Sequence, residues 1–375
     1  MTDWYVDNAA GGENDGTSWT DAWESFANIV WGGIGAGDSL YISGGSEGKT
    51  YLETLTIGAS GSSGTPIVIK PGAAHPTLSS GHDGLVTIDA EATRSKCIDF
   101  NANNYITIDG KDGTEDVPAT PFDNTDYIKL KVQNSTGIGI YADDYSIDTV
   151  AQYVHVYRCG RGAPGAATDN HGIQFRHCQG ARVSYCDVED AWQDGVKLGK
   201  TGAYGNTTCN HNWIHGMGDD GIGGSGGQDV YNNIIGPWRN DYSTCDGHTD
   251  GAQIVSGYTR IWNNLIYTDS LSGPYASPNA LLFIDCEWGP MNHVEIYNNV
   301  LWLSGTPYTN GNFYGIYLQT GEEGDARHMD DIHIYNNTLV DIGHIPIHIR
   351  SEVADGQVTN CYIKNNIQQR GAGRG

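Results

Sequence analysis

A short motif recurs from the middle of this chain to its end, and it constrains the fold more than any other feature. It reads apolar–any–Asn–Asn–apolar–apolar, as in Val230-Tyr-Asn-Asn-Ile-Ile. Successive copies are 21 residues apart (212 to 233) at the closest and 38 apart (299 to 337) at the widest. Repetition at this spacing predicts a solenoid in which one copy is one coil with a loop of variable length. The second Asn of each copy defines a column: Asn212, Asn233, Asn264, Asn299, Asn337 and Asn366.

The column has a physical explanation. A tight turn leaves backbone groups unpaired, and a buried Asn amide can satisfy them. Stacked coils would place equivalent amides about 4.8 Å apart, so they would also bond to one another. Cys186 and Cys159 are assigned to the same column in earlier coils, since Cys can replace Asn as a small buried side chain. The eight cysteines lack metal-ligand spacing, and most are therefore expected in the core rather than in disulfides.

Each coil carries a second short strand, as in Asp194-Gly-Val-Lys-Leu, Asp250-Gly-Ala-Gln-Ile and Tyr314-Gly-Ile-Tyr-Leu. Positions three and five are mostly apolar and should face the core, so position four should face outward. The sequence thus predicts one outward row: Gln174, Lys197, Gly223, Gln253, Leu282, Tyr317 and His348.

The two ends of the chain are less regular. Ser18–Val30 predicts a short amphipathic helix that caps the solenoid and covers unpaired strand edges. The expected organisation is a cap region over 1–38, a β-helix domain over 39–370 and a Gly-rich tail over 371–375. No matching cap follows Asn366, so we expect either further coils or a partner there. Residues 1–30 have no signal-peptide pattern, and no apolar window reaches the length of a membrane span.

The charge composition limits the classes of partner that the protein can bind. The formal net charge is −25, with 20 Lys and Arg against 45 Asp and Glu. A nucleic-acid partner is therefore excluded, because phosphate backbones need basic residues. A polyanionic polysaccharide would be repelled unless its groove is locally cationic or holds metal. The charge fits an extracellular or virion-surface location.

The Asn column, the segment Gly37-Asp-Ser-Leu-Tyr-Ile and the coil period resemble pectate-lyase-type proteins. That resemblance covers most of the chain and implies an all-β fold, a single right-handed parallel β-helix. It implies little about chemistry, because this fold carries lyases, hydrolases, epimerases and phage tailspikes.

An acidic cluster is the main candidate for chemistry. Three consecutive coils place Asp194, Asp220 and Asp250 at the same turn, with Asp219 beside Asp220. Stacked carboxylates about 5 Å apart repel one another. The cluster would then either bind Ca²⁺ through several oxygens or share a proton so that one carboxyl serves as a general acid.

Other candidates surround this cluster. Lys197 is a candidate base that removes the proton at C5 of a uronate, and His248 lies two residues before Asp250. A groove around residues 171–254 would hold substrate. The substrate-binding candidates are His171, Gln174, Trp192, Gln253, Tyr317, His348 and Arg350.

Two local resemblances extend this interpretation. Asp194-Gly-Val-Lys-Leu-Gly through Gly218-Asp-Asp-Gly resembles polysaccharide lyase family nine, which implies Ca²⁺ at Asp194, Asp219 and Asp220, although a further acid of that motif falls at Gly223. The same stretch resembles polygalacturonase-type glycoside hydrolases, which implies acid–base roles for Asp194, Asp219 and Asp220 and an assisting role for His248.

Three functions stay open from the sequence. The first is a Ca²⁺-assisted lyase of a uronate-containing polysaccharide, with Asp194, Asp219, Asp220 and Asp250 as the metal ligands. The second is an inverting hydrolase with Asp219 as the general acid. The third is a non-catalytic glycan-binding or tailspike-type adhesion protein, which would be a homo-oligomer, a trimer if virion-associated. All three predict a polysaccharide partner and no membrane partner.

Overall fold

The computed structural model describes residues 1–114, 126–143, 145–160, 170–199, 206–238, 249–268, 279–286, 289–303, 313–320, 328–342, 345–351 and 358–369. Their strands form three parallel sheets, and each coil between the first and the last contributes one strand to each sheet, as a right-handed parallel β-helix requires. This confirms the predicted fold class. The chain divides into two units, Met1–Ala191 and Trp192–Gly375.

The first unit supplies strands of two to five residues. The first sheet has the order β1-β2-β5-β8-β11-β14, the second β3-β6-β9-β12-β15 and the third β4-β7-β10-β13. The bounds are β1 (Asp3–Val6), β2 (Ser39–Ile42), β3 (Lys49–Tyr51), β4 (Leu55–Thr56), β5 (Ile67–Pro71), β6 (Val86–Asp89), β7 (Lys96–Asp99), β8 (Ile106–Asp109), β9 (Leu130–Gln133), β10 (Ile138–Ala142), β11 (Val150–Gln152), β12 (Val154–Tyr157), β13 (Ile173–Phe175), β14 (Arg182–Ser184) and β15 (Asp187–Glu189).

The second unit repeats the same cycle of three strands. Its first sheet has the order β17-β20-β23-β26-β29-β32, its second β18-β21-β24-β27-β30-β33 and its third β16-β19-β22-β25-β28-β31. The bounds are β16 (Val196–Leu198), β17 (Thr207–Asn210), β18 (Trp213–His215), β19 (Ile222–Gly224), β20 (Gln228–Tyr231), β21 (Ile234–Ile235), β22 (Ala252–Ile254), β23 (Tyr258–Trp262), β24 (Leu265–Thr268), β25 (Ala280–Asp285), β26 (His293–Tyr297), β27 (Val300–Leu303), β28 (Tyr314–Gln319), β29 (Met329–Tyr335), β30 (Thr338–Val340), β31 (Ile345–Arg350), β32 (Val358–Lys364) and β33 (Ile367–Gln369).

The predicted Asn ladder is present in the second unit. In each step the side-chain amide nitrogen of one Asn donates to the side-chain oxygen of the next at 3.0 Å, from Asn212 through to Asn366. The backbone N–H donates to the same oxygen, as from Asn264 to Asn299 at 3.0 Å. Asn212, Asn233, Asn264, Asn299 and Asn337 are buried. Neighbouring coils are thus joined by polar bonds inside the core.

The first Asn of each Asn–Asn pair has a different role. Asn232, Asn263, Asn298 and Asn336 all have φ of 56°, a left-handed conformation that Asn tolerates better than most residues. The motif therefore combines a turn-forming residue with a ladder residue.

The assignment of Cys159 to the Asn column is wrong, and that of Cys186 is supported. His155 pairs with Asp187 across the sheet, so Val154, not Cys159, stands opposite Cys186. The Sγ of Cys186 contacts the carbonyls of Ser184 and Ala151, at 3.4 and 3.6 Å. None of the seven cysteines in the described part of the chain forms a disulfide, and six of them are buried, as expected for core residues.

The predicted N-terminal capping helix is also wrong. Ser18–Val30 contains only the 3₁₀ turn Phe26–Asn28, and two further 3₁₀ turns lie at Trp31–Gly33 and Gly72–Ala74. The hydroxyl of Ser18 and the carboxylate of Asp21 bond to each other and to local backbone groups, which competes with helix formation. Trp23 instead stacks on Trp4, with ring centroids 5.4 Å apart. The first strand, β1, already lies within the region predicted as a cap.

Candidate functional site

The three aligned Asp residues precede strands of the third sheet in the second unit. Gly195 donates its N–H to the Asp220 carbonyl at 2.9 Å, and Gly221 donates to the Asp250 carbonyl at 3.0 Å. The Asp-Gly turns of successive coils are therefore in register, as the sequence predicted. A Cβ at Gly221 would lie 2.4 Å from the carbonyl oxygen of Gly251, so glycine is required where these turns stack.

Two of these carboxylates bond to the backbone of the next coil. The Oδ1 of Asp220 accepts from the N–H of Asp250 at 3.1 Å, and the Oδ1 of Asp250 accepts from the N–H of Ala280 at 2.6 Å. Asp194, Asp220 and Asp250 expose at most 2% of their surface. These acids are therefore structural turn elements as well as candidates for chemistry.

Lys197 supplies the positive charge of the cluster. Its Nζ lies 2.7 Å from the Oδ2 of Asp194. Burial by itself lowers the pKa of Lys197, but Asp194, Asp220 and Asp219 together raise it above the ordinary lysine range. Lys197 is consequently a stable ammonium at neutral pH, which disfavours the predicted role as a general base.

Gly223 makes room for this ion pair. Lys197 pairs with Gly223 across the sheet, and Gly223 pairs with Gln253 in the next coil. A Cβ at Gly223 would lie 2.4 Å from the Oδ2 of Asp194 and 2.5 Å from the Nζ of Lys197. The sequence placed Gly223 in the outward row and at the position of a missing acid, and a Gly among larger side chains in that row was a detectable sign of close packing.

Asp220 is the carboxyl with the strongest perturbation. Burial, followed by the negative charges of Asp219, Asp194 and Asp250, raises its pKa well above the ordinary range, and Lys197 offsets this only in part. Asp219 is half-buried, and its N–H donates to the carbonyl of Gln193 at 3.3 Å. The cluster thus joins a buried carboxyl whose pKa is raised to a neighbour that solvent can reach.

A divalent cation would have to compete with Lys197 for this cluster. Among the described residues, no three His, Cys, Asp or Glu side chains are arranged to hold a metal ion. The ammonium of Lys197 already contacts the Oδ2 of Asp194 at 2.7 Å, so the arrangement does not fit a ready-made calcium site. Calcium binding by Asp194, Asp219, Asp220 and Asp250 stays a prediction.

The remaining groove candidates lie in both units. Gln253 and Trp192 are half-buried in the same unit. His171 and Gln174 are buried in the first unit, where Gln174 pairs with Tyr141. His248 lies outside the described residues.

Tyr317, His348 and Arg350 form a separate cluster farther along the third sheet of the second unit. The Tyr317 and His348 rings are 5.3 Å apart, and Arg350 donates to the Tyr317 hydroxyl at 3.5 Å. The register runs Lys197, Gly223, Gln253, Phe283, Tyr317. Tyr317 is therefore four coils, or roughly 19 Å, from Lys197, and it does not extend the acidic cluster.

The same register corrects the predicted outward row. Gln253 pairs with Phe283, and Leu282 instead pairs with Ala252 in the buried row. The sequence alignment was one residue out because β25 begins at Ala280 and is longer than the neighbouring β22. Trp238 is 5% exposed and donates its ring N–H to the carbonyl of Asp250, so it supports the turn.

Comparisons with known proteins agree with the fold. No protein-family model and no curated protein matches the sequence. Structural matches include the GH136 lacto-N-biosidase from Eubacterium ramulus at 12% identity, pectate lyase Pel9A at 13% and XylC in complex with xylose at 10%, each with a TM-score of 0.51. Each match covers 98% of this chain, and it covers 68%, 79% and 86% of the other chains, respectively. The chain therefore shares the parallel β-helix fold of carbohydrate-active proteins.

The described helical segments are short turns, and none is long and apolar enough to cross a membrane.

Proposed function

We propose that this protein cleaves a polysaccharide by hydrolysis and that Asp194, Lys197, Asp219 and Asp220 form its catalytic centre. The observation that carries the proposal is the contrast between two carboxyls of one cluster. Asp194 is paired with an ammonium at 2.7 Å, whereas the pKa of Asp220 is raised well above the ordinary range. Glycoside hydrolysis needs one protonated carboxyl and one carboxylate, and contrasting environments are how proteins provide both.

Each member of the cluster has a role in this proposal. Asp219 and Asp220 are adjacent and share a proton, as strongly interacting carboxyls do. Asp219 is the more exposed of the two, so it donates that proton to the glycosidic oxygen. Asp194 is the carboxylate that activates water, and Lys197 holds it in place.

Elimination is less well supported by this geometry. A lysine base must lose its proton before it can remove one from a sugar, and the surrounding carboxylates raise the pKa of Lys197. Calcium-assisted elimination from a uronate polymer would require the cluster to rearrange around a metal. Elimination is therefore the reaction that the experiment must distinguish from hydrolysis.

The test compares products and variants on a panel of uronate-containing and neutral polysaccharides. Hydrolysis releases saturated reducing ends, whereas elimination produces an unsaturated, ultraviolet-absorbing end. Asp219→Asn should lower hydrolysis by about 10²–10⁴-fold, the usual contribution of a general acid. A matched control is Asp229→Asn, because Asp229 pairs with Arg260 at 2.6 Å on a different sheet and should leave the rate unchanged.

Two results would overturn the hydrolysis proposal. Unsaturated products that disappear in Lys197→Ala but persist in Asp219→Asn would establish elimination. Binding of a polysaccharide without turnover under any condition would establish the adhesion alternative.

A further inference from the structure

A cavity of about 340 Å³ lies in the first unit, on the outward side of strands β2, β5 and β8. Tyr41 and Lys70 form one part of its lining, and Asp109 and Lys111 form another. The segment after the 3₁₀ turn Gly72–Ala74 supplies a further wall through Pro76. This cavity belongs to a different unit from the acidic cluster.

The strand register explains why these side chains meet. Tyr41 is directly opposite Lys70. Ile69 pairs with Ile108, so the next residues along the two strands, Lys70 and Asp109, are neighbours on the outward face.

The wall segment is held in place by a buried histidine. The Nδ1 of His75 accepts from the backbone N–H of Leu78 at 2.9 Å, and its Nε2 lies 3.2 Å from the hydroxyl of Tyr5. The Tyr41 ring packs against His75 with centroids 4.7 Å apart. Trp19 donates its ring N–H to the carbonyl of Leu78 at 2.9 Å. The cavity is therefore formed before any ligand arrives.

Two lysines contribute positive charge to the cavity. The ammonium groups of Lys70 and Lys111 have no carboxylate within 4.0 Å in the part of the chain that the structure describes. The backbone N–H of Lys111 donates to the Oδ1 of Asp109 at 3.4 Å, and the Lys111 ammonium lies 5.4 Å from the Tyr153 ring. Two lysines without carboxylate partners among the described residues thus line one cavity in a chain with a net charge of −25.

We infer that this cavity binds a carboxylate-bearing sugar residue. Lys70 and Lys111 supply charge-assisted hydrogen bonds to the carboxylate, and Asp109 accepts a hydrogen bond from a sugar hydroxyl. Tyr41 and Pro76 pack against the apolar face of the ring. The volume is at the lower end of the range for small-molecule sites, which fits one or two pyranose rings.

The inference goes beyond the proposed function, since it concerns binding without chemistry. An acidic protein repels a polyanion over most of its surface. A local pair of cations provides a place where such a chain can be held. The site would anchor an acidic polysaccharide whether or not the protein cleaves it.

The experiment is titration calorimetry at low ionic strength with digalacturonate, its neutral methyl ester and sodium sulfate. Asp219→Asn protein serves as the background, so that turnover does not interfere. Digalacturonate should bind about tenfold or more tightly than its ester. Lys70→Gln/Lys111→Gln should lower the affinity for digalacturonate by at least about tenfold. The control Lys96→Gln/Lys129→Gln removes the same charge elsewhere in the first unit and should change the affinity less than about twofold.

A further variant distinguishes a sugar site from a simple anion site. Asp109→Asn should weaken digalacturonate binding because a hydroxyl partner is altered, whereas it should strengthen binding of sulfate by removing a repulsive charge. Equal affinity for the acid and its ester would overturn the inference. So would unchanged binding in the Lys70→Gln/Lys111→Gln variant, or binding of sulfate alone.

Discussion

The Asn ladder and the acidic cluster are both stacks of equivalent side chains in the second unit, and they follow opposite rules. In the ladder each amide donates to the next and accepts from the previous one, with every step at 3.0 Å. In the cluster Asp220 is surrounded by other acids, and its pKa is raised first by burial and then by the negative charges of Asp219, Asp194 and Asp250.

The two stacks differ because of the hydrogen-bonding groups that each side chain carries. An amide carries both a donor and an acceptor, so repetition satisfies it. A carboxylate carries only acceptors, so repetition adds repulsion, which the protein offsets with Lys197 and with backbone N–H groups. A repeated side chain that complements itself stabilises the coil, and one that repels itself marks a candidate site for chemistry.

Breaking the ladder should give the largest change in stability. Asn264→Leu removes the acceptor of the Asn233 N–H and the donor to the Val230 carbonyl. Buried polar groups left unpaired should lower the free energy of unfolding by about 1–3 kcal/mol. Urea unfolding followed by circular dichroism measures this change.

Asn366→Leu is the matched control for that experiment. Asn366 occupies the same ladder position but is only half-buried, so water can replace its partners and the loss should be smaller. Equal losses at Asn264 and Asn366 would contradict the role assigned to the buried ladder.

Relieving repulsion in the acidic cluster should increase stability, whereas breaking the ladder should decrease it. In the unfolded chain an Asp titrates near pH 3.9, whereas the pKa of folded Asp220 is higher. At pH values between these two pKa values, the folded state binds more protons than the unfolded state. The free energy of unfolding therefore falls as the pH rises through this range. Asp220→Asn should remove this fall and raise the melting temperature at neutral pH by about 2–4 °C, equivalent to about 1 kcal/mol in a unit of this size.

Melting curves from pH 4 to pH 9 test this prediction. The advantage of Asp220→Asn over wild type should grow with pH, and Asp229→Asn should show no such trend. A constant difference across the range would mean that the charge of Asp220 is not the cause.

Much of the fold was predictable because the repeat motif has a local physical meaning. The Asn–Asn pair encodes a left-handed turn residue and a ladder residue, and both are recognisable without a structure. Cys159 and Leu282 were misplaced because loops of variable length hide the register by one or more residues. The Ser18–Val30 segment was misassigned because its helical periodicity was outweighed by the side-chain bonds of Ser18 and Asp21.

The site was predictable in composition but not in arrangement. Three Asp-Gly turns at equivalent positions were sufficient to bring Asp194, Asp220 and Asp250 together. The contact between Lys197 and Asp194 depends on the space left by Gly223, which no motif specifies. Tyr317 and His348 share a row with Lys197, and Arg350 lies two residues beyond His348 on the same strand, but the intervening coils separate all three from Lys197.

Calcium should cause the smallest change in stability, and its effect tests how the charges of the acidic cluster are balanced. Weak extracellular calcium sites have dissociation constants of about 1 mM. If the acidic cluster binds calcium with this affinity, about 3 mM calcium should raise the free energy of unfolding by RT ln 4, or about 0.8 kcal/mol. Lys197→Met should respond more strongly than wild type, because the competing ammonium is gone. Melting temperatures in calcium and in chelator provide the measurement. Identical melting of both proteins with chelator and with excess calcium would show that Lys197 and the backbone N–H groups balance the cluster without metal.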